Sequence, residues 1–297
     1  MIDKIKRLRR ERNAVILAHN YQLPEVQDVA DYVGDSLGLS IQASRTDAEV
    51  IVFCGVHFMA ETAALICPDK LVLEPHENAG CLMSDMITVR QLREWKDRHP
   101  DAAVVCYVNS TAGIKAESDV CCTSANSVKV VQSIPEDRPI LFVPDKSLGA
   151  WTAKESGREM MLWEGYCPTH HRILAGDIRR ARAAHPDAVV IVHPECTAEA
   201  IAEADEVFST GGMCRYATES DAREMIMGTE IGLLHRLKKE NPGKFFYPVT
   251  DLAWCLNMKL NTLEKLLWAL EDSIYQVKIP EELAERARLP IERMLRL

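Results

Sequence analysis

The pattern of apolar positions divides the chain into three similar segments. Uninterrupted apolar runs follow three opening residues, Asn13, Asp101 and Asp187, which are spaced by 88 and then 86 residues. A short run without alternation is typical of a strand that is buried on both faces of a parallel sheet. Each run is followed by helical patterns that alternate with further short apolar runs, an order that predicts βαβ units. The sequence therefore predicts an α/β protein built from three copies of one unit, each with a small parallel sheet.

The later strands of the three copies are predicted from the same kind of run. They are expected at 50–53, 71–73, 140–143, 160–162, 206–208 and 245–249. No linker rich in Gly, Ser or Pro separates the copies, so we expect them to pack closely around a shared central site. The predicted units are 13–98, 99–184 and 185–271, with terminal helical segments at 1–12 and 272–297.

Polar residues recur at fixed distances from the three openings. One group follows the first strand of each copy, where open parallel sheets bind their ligands. A second group consists of hydroxyl residues predicted at helix starts, where hydroxyl and N–H groups can bind an anion. Each residue alone could be a packing, turn or capping residue, but their recurrence favours a ligand site. The repeated positions are His19, Tyr107 and His193, then Tyr21, Asn109 and Glu195, then Ser36, Ser124 and Thr210.

Three of the ten cysteines also occupy matching positions. Cys81, Cys167 and Cys255 lie 68, 66 and 68 residues after the three openings, and the other seven do not recur and are expected to be buried packing residues. Three equivalent thiolates suit three corners of a [4Fe-4S] cluster, whose fourth iron then stays open. An open iron is a Lewis acid that can hold a substrate oxygen. Zinc with three cysteines and one histidine is the alternative, although the usual paired spacing is absent.

Composition narrows the classes of partner. The formal net charge is −9, which disfavours nucleic acid but leaves small anionic substrates open. No apolar run approaches the roughly 18 residues of a membrane span. Ten cysteines without a secretory segment or a CxxC pair predict a reducing, cytoplasmic setting.

Motifs at these positions carry a resemblance to a known family. They include His19-Asn20-Tyr21, Gly34-Asp35-Ser36, Tyr107-Val108-Asn109, Thr123-Ser124, His193-Pro194-Glu195, Ser209-Thr210, Gly228-Thr229-Glu230 and Asn257-Met258-Lys259. Over nearly the whole chain, the sequence resembles the quinolinate synthases. The resemblance implies three αβα sandwich domains about a pseudo-threefold axis and a [4Fe-4S] cluster on Cys81, Cys167 and Cys255. The chain departs from the family pattern at Leu256, where proline commonly follows the third cysteine.

The resemblance also implies a reaction in NAD biosynthesis. Iminoaspartate (iminosuccinate) condenses with dihydroxyacetone phosphate to give quinolinate, phosphate and two waters, and an L-aspartate oxidase or dehydrogenase supplies the iminoaspartate. Glu195 is the expected general base, assisted by His193 and Tyr21. An aconitase-like hydro-lyase and a cluster- or zinc-dependent sensor are the alternatives. The substrate-binding residues carried over by position are His19, Ser36, Tyr107, Asn109, Ser124, His193, Glu195 and Thr210.

Overall fold

The first segment of the chain folds into a four-stranded parallel sheet with helices around it, in a computed structural model that describes residues 1–297. Its strands are β1 (Ala14–His19), β2 (Tyr32–Gly34), β3 (Val50–Cys54) and β4 (Leu71–Leu73), in the order β2-β1-β3-β4. Its helices are α1 (Ile2–Glu11), α2 (Pro24–Val29), α3 (Ser36–Arg45), α4 (His57–Ile66) and α5 (Val89–Arg98). Every residue of β3 is buried, as expected of a strand covered on both faces.

The second and third segments repeat this sheet order. The second has β5 (Ala103–Tyr107), β6 (Val120–Cys122), β7 (Ile140–Val143) and β8 (Met161–Leu162), with α6 (Ala112–Ala116), α7 (Ser127–Gln132), α8 (Lys146–Ser156) and α9 (Ala175–Ala184). The third has β9 (Val189–Val192), β10 (Glu206–Val207), β11 (Glu224–Gly228) and β12 (Phe245–Pro248), with α10 (Ala198–Ile201), α11 (Thr210–Glu219), α12 (Leu233–Glu240) and α13 (Leu263–Asp272). Their orders are β6-β5-β7-β8 and β10-β9-β11-β12, all parallel.

The repeated order confirms the prediction of three α/β units with small parallel sheets. The predicted strands are present with ends that differ by at most one or two residues, whereas the short edge strands β2 and β6 were not predicted, and neither was β11. Its Glu-Met-Ile-Met-Gly sequence contains a single β-branched residue, Ile226, which explains the weak strand signal. The unit boundaries at 98/99 and 184/185 stay a prediction.

The units share apolar cores. Leu17 and Phe53 of the first sheet lie in one buried cluster with Ile191 and Met225 of the third. The last helix, α14 (Glu281–Leu295), buries one face in the core of the second unit. Shared cores of this kind hold the three sheet ends in fixed relation to one another. None of the helices has the length and apolar character needed to cross a membrane.

Candidate active site

The carboxyl ends of the three sheets face one cavity. All nine repeated polar positions line it, and so do the three matching cysteines. Neither terminal segment, 1–12 or 272–297, contributes to its wall. The residues that the structure brings together are His19, Tyr21, Ser36, Cys81, Tyr107, Asn109, Ser124, Cys167, His193, Glu195, Thr210 and Cys255.

The first and third units build the same turn after their first strand. The backbone N–H of Tyr21 donates to Nδ1 of His19 at 3.2 Å, and that of Glu195 donates to Nδ1 of His193 at 3.2 Å. Nδ1 is therefore the acceptor in both rings, and Nε2 carries the proton. Burial, aided by the Lys259 charge at His19, lowers the pKa of each ring to about 3. Both imidazoles are neutral donors at neutral pH.

Two of the three hydroxyl residues lie at a helix start. Ser36 and Thr210 are the first residues of α3 and α11, and the N-cap is the residue before each of them. Asp35 accepts the Gly38 N–H at 2.8 Å, so capping does not occupy the Ser36 hydroxyl. The hydroxyl of Thr210 accepts a hydrogen bond from Asn20 at 2.9 Å.

The helix start predicted at Ser124 is wrong. The helix α7 begins at Ser127, because the Asn126 side chain accepts the Thr123 N–H at 2.7 Å and holds the intervening residues in a turn. Ser124 still lines the cavity, and its hydroxyl lies 3.2 Å from Nε2 of His193. It thus joins the site through a side chain of the third unit.

Glu195 lies at the centre of a buried hydrogen-bond network. The Tyr107 hydroxyl donates to its Oε1 at 2.5 Å, and Nδ1 of His170 lies 2.7 Å from its Oε2. Burial raises the pKa of Glu195, but the imidazoles of His170 and His193 and the Tyr107 hydrogen bond outweigh burial and hold this pKa well below its usual value. The carboxylate is therefore ionised inside the cavity wall.

His170 is a site residue that the sequence reasoning missed. Its Nε2 lies 3.0 Å from the Thr229 hydroxyl and 3.3 Å from the Tyr21 hydroxyl, and its ring stacks on His193 at 4.6 Å between centroids. Its Nδ1 also lies 3.2 Å from Sγ of Cys167. The residues three positions after the other two cysteines are Ser84 and Met258, so the search for recurring positions could not find it. The available signal was a histidine shortly after a candidate ligand.

Thr229 was missed for a related reason. It directly follows β11, one of the strands that were not predicted, and its hydroxyl lies 2.6 Å from the Tyr21 hydroxyl. Burial keeps the pKa of Tyr21 well above its usual value, so this phenol is neutral. Thr229 and His170 together fix the position of the Tyr21 hydroxyl.

The three matching cysteines lie at equivalent places in three loops. Each precedes a short 3₁₀ turn, at Ser84–Met86, His170–Arg172 and Met258–Leu260. They are partly exposed to the cavity, whereas the other seven cysteines are buried, which confirms the packing prediction for those seven. Burial raises the pKa of all three thiols, that of Cys81 to about 12, and the charges of Cys81 and Cys255 both act on Cys167.

Two sets of donors in this cavity could hold a metal. Cys167, His170 and Glu195 have ligand atoms within 4.8 Å of one another. The second set is the three thiols, whose soft sulfur donors suit an iron-sulfur cluster or zinc. Cys167 belongs to both sets, while Glu195 and His170 are already paired with each other. The thiol set leaves those pairings intact, and it fits an iron-sulfur cluster.

Comparison with known proteins identifies the family. The family model described as Quinolinate synthetase A protein matches residues 3–296. A quinolinate synthase of Dehalococcoides mccartyi strain CBDB1 is 57% identical over 294 residues, covering 99% of this chain and 97% of the relative. One of Thermodesulfovibrio yellowstonii is 53% identical over 297 residues, covering 100% and 98%. With these matches over almost its full length, the chain belongs to the quinolinate synthase family of enzymes.

Proposed function

We propose that this chain catalyses the condensation of iminoaspartate with dihydroxyacetone phosphate, which gives quinolinate, phosphate and two waters in NAD biosynthesis. The observation that carries the proposal is the convergence of nine polar positions and three cysteines on one cavity in a chain of this family. A cytoplasmic enzyme fed by an L-aspartate oxidase or dehydrogenase fits the instability of the iminoaspartate substrate.

Cys81, Cys167 and Cys255 are the residues proposed to hold a [4Fe-4S] cluster. Support comes from their equivalent loops, their shared cavity and the suitability of thiolates for iron. When bound, such a cluster supplies an iron without a protein ligand, which acts as a Lewis acid toward substrate oxygen. Because burial raises the pKa of these thiols, loading must release protons, and acid should oppose it.

The substrates are small anions, and the cavity offers neutral and partly positive donors to bind them. The N-terminal turns of α3 and α11 present backbone N–H groups at Ser36 and Thr210, where the helix dipole favours a carboxylate or phosphate. The Nε2–H groups of neutral His19 and His193 add directed hydrogen bonds. Tyr107, Asn109 and Ser124 complete the proposed binding set.

Glu195 is the proposed general base of the enolisation and dehydration steps. Its ionised carboxylate lies in the cavity wall, and Tyr107 and His170 hold its two oxygens in place. His193 is the proposed assisting residue, held beside Glu195 by the turn in which the Glu195 N–H donates to its Nδ1. Tyr21 is the proposed neutral phenol that donates to a developing negative charge. These roles require only proton movement, which a fixed carboxylate and neutral donors can perform.

The test is anaerobic purification followed by assays for iron, sulfide and quinolinate. We expect about four irons per chain and quinolinate formed from the two substrates, with phosphate released. Cys81→Ala, Cys167→Ala and Cys255→Ala should each abolish cluster and turnover. Cys67→Ala is the matched control, because this buried thiol only donates to the Ala43 carbonyl.

Equal tolerance of all four cysteine changes would remove the ligand assignment. Glu195→Gln should keep the iron and lose turnover, and a near-normal rate would exclude it as the base. Activity that needs a single carboxylic acid and no dihydroxyacetone phosphate would favour the aconitase-like alternative instead.

A further inference from the structure

A buried ion pair joins two parts of the site without lining the cavity. The Glu230 carboxylate has no exposed surface, and the Lys259 side chain is 7% exposed. Nζ of Lys259 lies 2.9 Å from Oε1 and 3.0 Å from Oε2 of Glu230. A charge pair this deeply buried is costly to form, and removing one partner leaves the other uncompensated. We therefore expect the pair to have a specific structural role, unlike an ion pair on the solvated surface.

Glu230 binds the loop of the third cysteine through its backbone. Oε1 accepts the N–H of Cys255 at 3.0 Å, and Oε2 accepts the N–H of Gly232 at 2.8 Å. Three donor groups make four contacts with one carboxylate, since Lys259 reaches both oxygens. The carboxylate consequently fixes the Cys255 amide relative to the end of β11.

Lys259 extends the same connection to the first unit. Its ammonium donates to the backbone carbonyl of Tyr21 and lies 4.5 Å from the centre of the Trp254 ring. An added Cβ at Gly232 would lie 2.6 Å from Nζ of Lys259 and 2.9 Å from the carbonyl carbon of Tyr21. This close packing indicates that the Tyr21 turn, the Gly232 turn and the Cys255 loop meet at one junction.

The junction exists only at the third cysteine. The residues four positions after Cys81 and Cys167 are Asp85 and His171, so neither of those loops can provide an equivalent ammonium. Tyr21 is also the one member of its recurring position whose side chain hydrogen-bonds to Thr229. A connection between Tyr21 and Cys255 therefore links a hydroxyl donor of the site to one specific ligand loop.

We infer that Glu230 and Lys259 are positioning residues that couple the Tyr21 turn to the Cys255 loop across the boundary of the first and third units. The ion pair holds the Tyr21 carbonyl and the Cys255 amide in fixed relation. A shift of either backbone group therefore changes the position of the other. The catalytic side of this inference rests on the proposed function, whereas the mechanical coupling does not.

Hydrogen exchange on the full chain, purified without air, tests the coupling directly. In Lys259→Met, amide exchange should speed up at least about tenfold in peptides covering both 19–22 and 253–257. Peptides covering 81–86 and 167–172 should stay within about twofold of the unchanged protein. Lys244→Met is the matched control, because Lys244 is another partly buried lysine whose ammonium donates to backbone carbonyls, at 2.7 Å to Ala217 and also to Ser220, which are not part of this junction.

The kinetic arm separates positioning from general loss of structure. At equal iron content, Lys259→Met should lower kcat by at least about tenfold with KM changed less than threefold, and Lys259→Arg should recover most of kcat. If exchange speeds up at 253–257 alone, the coupling is wrong, and if Lys259→Met keeps full kcat, the positioning role in catalysis is wrong. If the unchanged protein makes no quinolinate, the proposed function fails, and the exchange result still decides the coupling.

Discussion

Replacing His170 with phenylalanine tests the network around Glu195. The change keeps an aromatic ring that can stack on His193, now at 4.6 Å from the His170 ring, but removes both ring nitrogens. Glu195 loses the partner that lies 2.7 Å from its Oε2, and Thr229 loses a contact at 3.0 Å. The Tyr21 hydroxyl loses its 3.3 Å contact with His170 but keeps its 2.6 Å hydrogen bond to Thr229, so the perturbation falls mainly on the carboxylate.

The size of the effect follows from the hydrogen bond that is lost. A hydrogen bond to a charged group contributes about 1.5–3 kcal/mol, so kcat/KM should fall ~10- to 150-fold at neutral pH. Burial already raises the pKa of Glu195, and His170 is the largest influence that lowers it. In the variant this pKa rises. Because a general base works in its ionised form, the acid limb of the pH profile should move to higher pH.

The assay is the pH dependence of quinolinate formation at matched iron content, since His170 also lies 3.2 Å from Sγ of Cys167. His171→Phe is the matched control: its neighbouring ring stacks on Tyr166 at 4.4 Å and binds Ser147, and it does not line the cavity. An unchanged acid limb with kcat/KM within about twofold of the parent would refute the reasoning.

Two further predictions concern stability and are checked by denaturant unfolding. Gly165→Ala should lower the free energy of unfolding by about 1–3 kcal/mol, because its Cβ would lie 2.3 Å from a backbone oxygen. Gly80→Ala meets nothing within 4 Å and should stay within about 0.5 kcal/mol. Burial raises the pKa of Glu117, but the hydrogen bonds from Arg93 and Arg286 outweigh burial and lower this pKa to about 2. The Glu117 carboxylate therefore contributes about 1 kcal/mol to the free energy of unfolding after solvent screening. This contribution is present above the ordinary carboxyl pKa and is lost as the pH falls toward 2. Glu117→Gln should accordingly lower the free energy of unfolding at pH 7 and leave it unchanged at pH 2.

Repetition explains how much of the fold and site the sequence could predict. A histidine after a strand, such as His19 or His193, is weak evidence by itself, but a polar residue at the same place in every copy is strong evidence. The same logic singled out Cys81, Cys167 and Cys255 from ten cysteines. It works because backbone equivalence brings equivalent positions to one point, and the structure gives all three sheets one strand order.

The same logic fails where the copies differ, and the chemistry of the site depends on those differences. His170 and Thr229 each occur in one copy only, yet both contact Tyr21, and His170 also pairs with Glu195. Protonation states could not be predicted from the sequence either, because the pKa of His19 depends on its burial and on Lys259, 240 positions further along the chain. Three identical copies would bind a symmetric ligand. The asymmetric network assembled from single-copy side chains keeps the Glu195 carboxylate ionised in the same cavity as the neutral imidazoles of His19 and His193. Groups whose surroundings push their pKa values apart are suited to opposite roles in proton transfer.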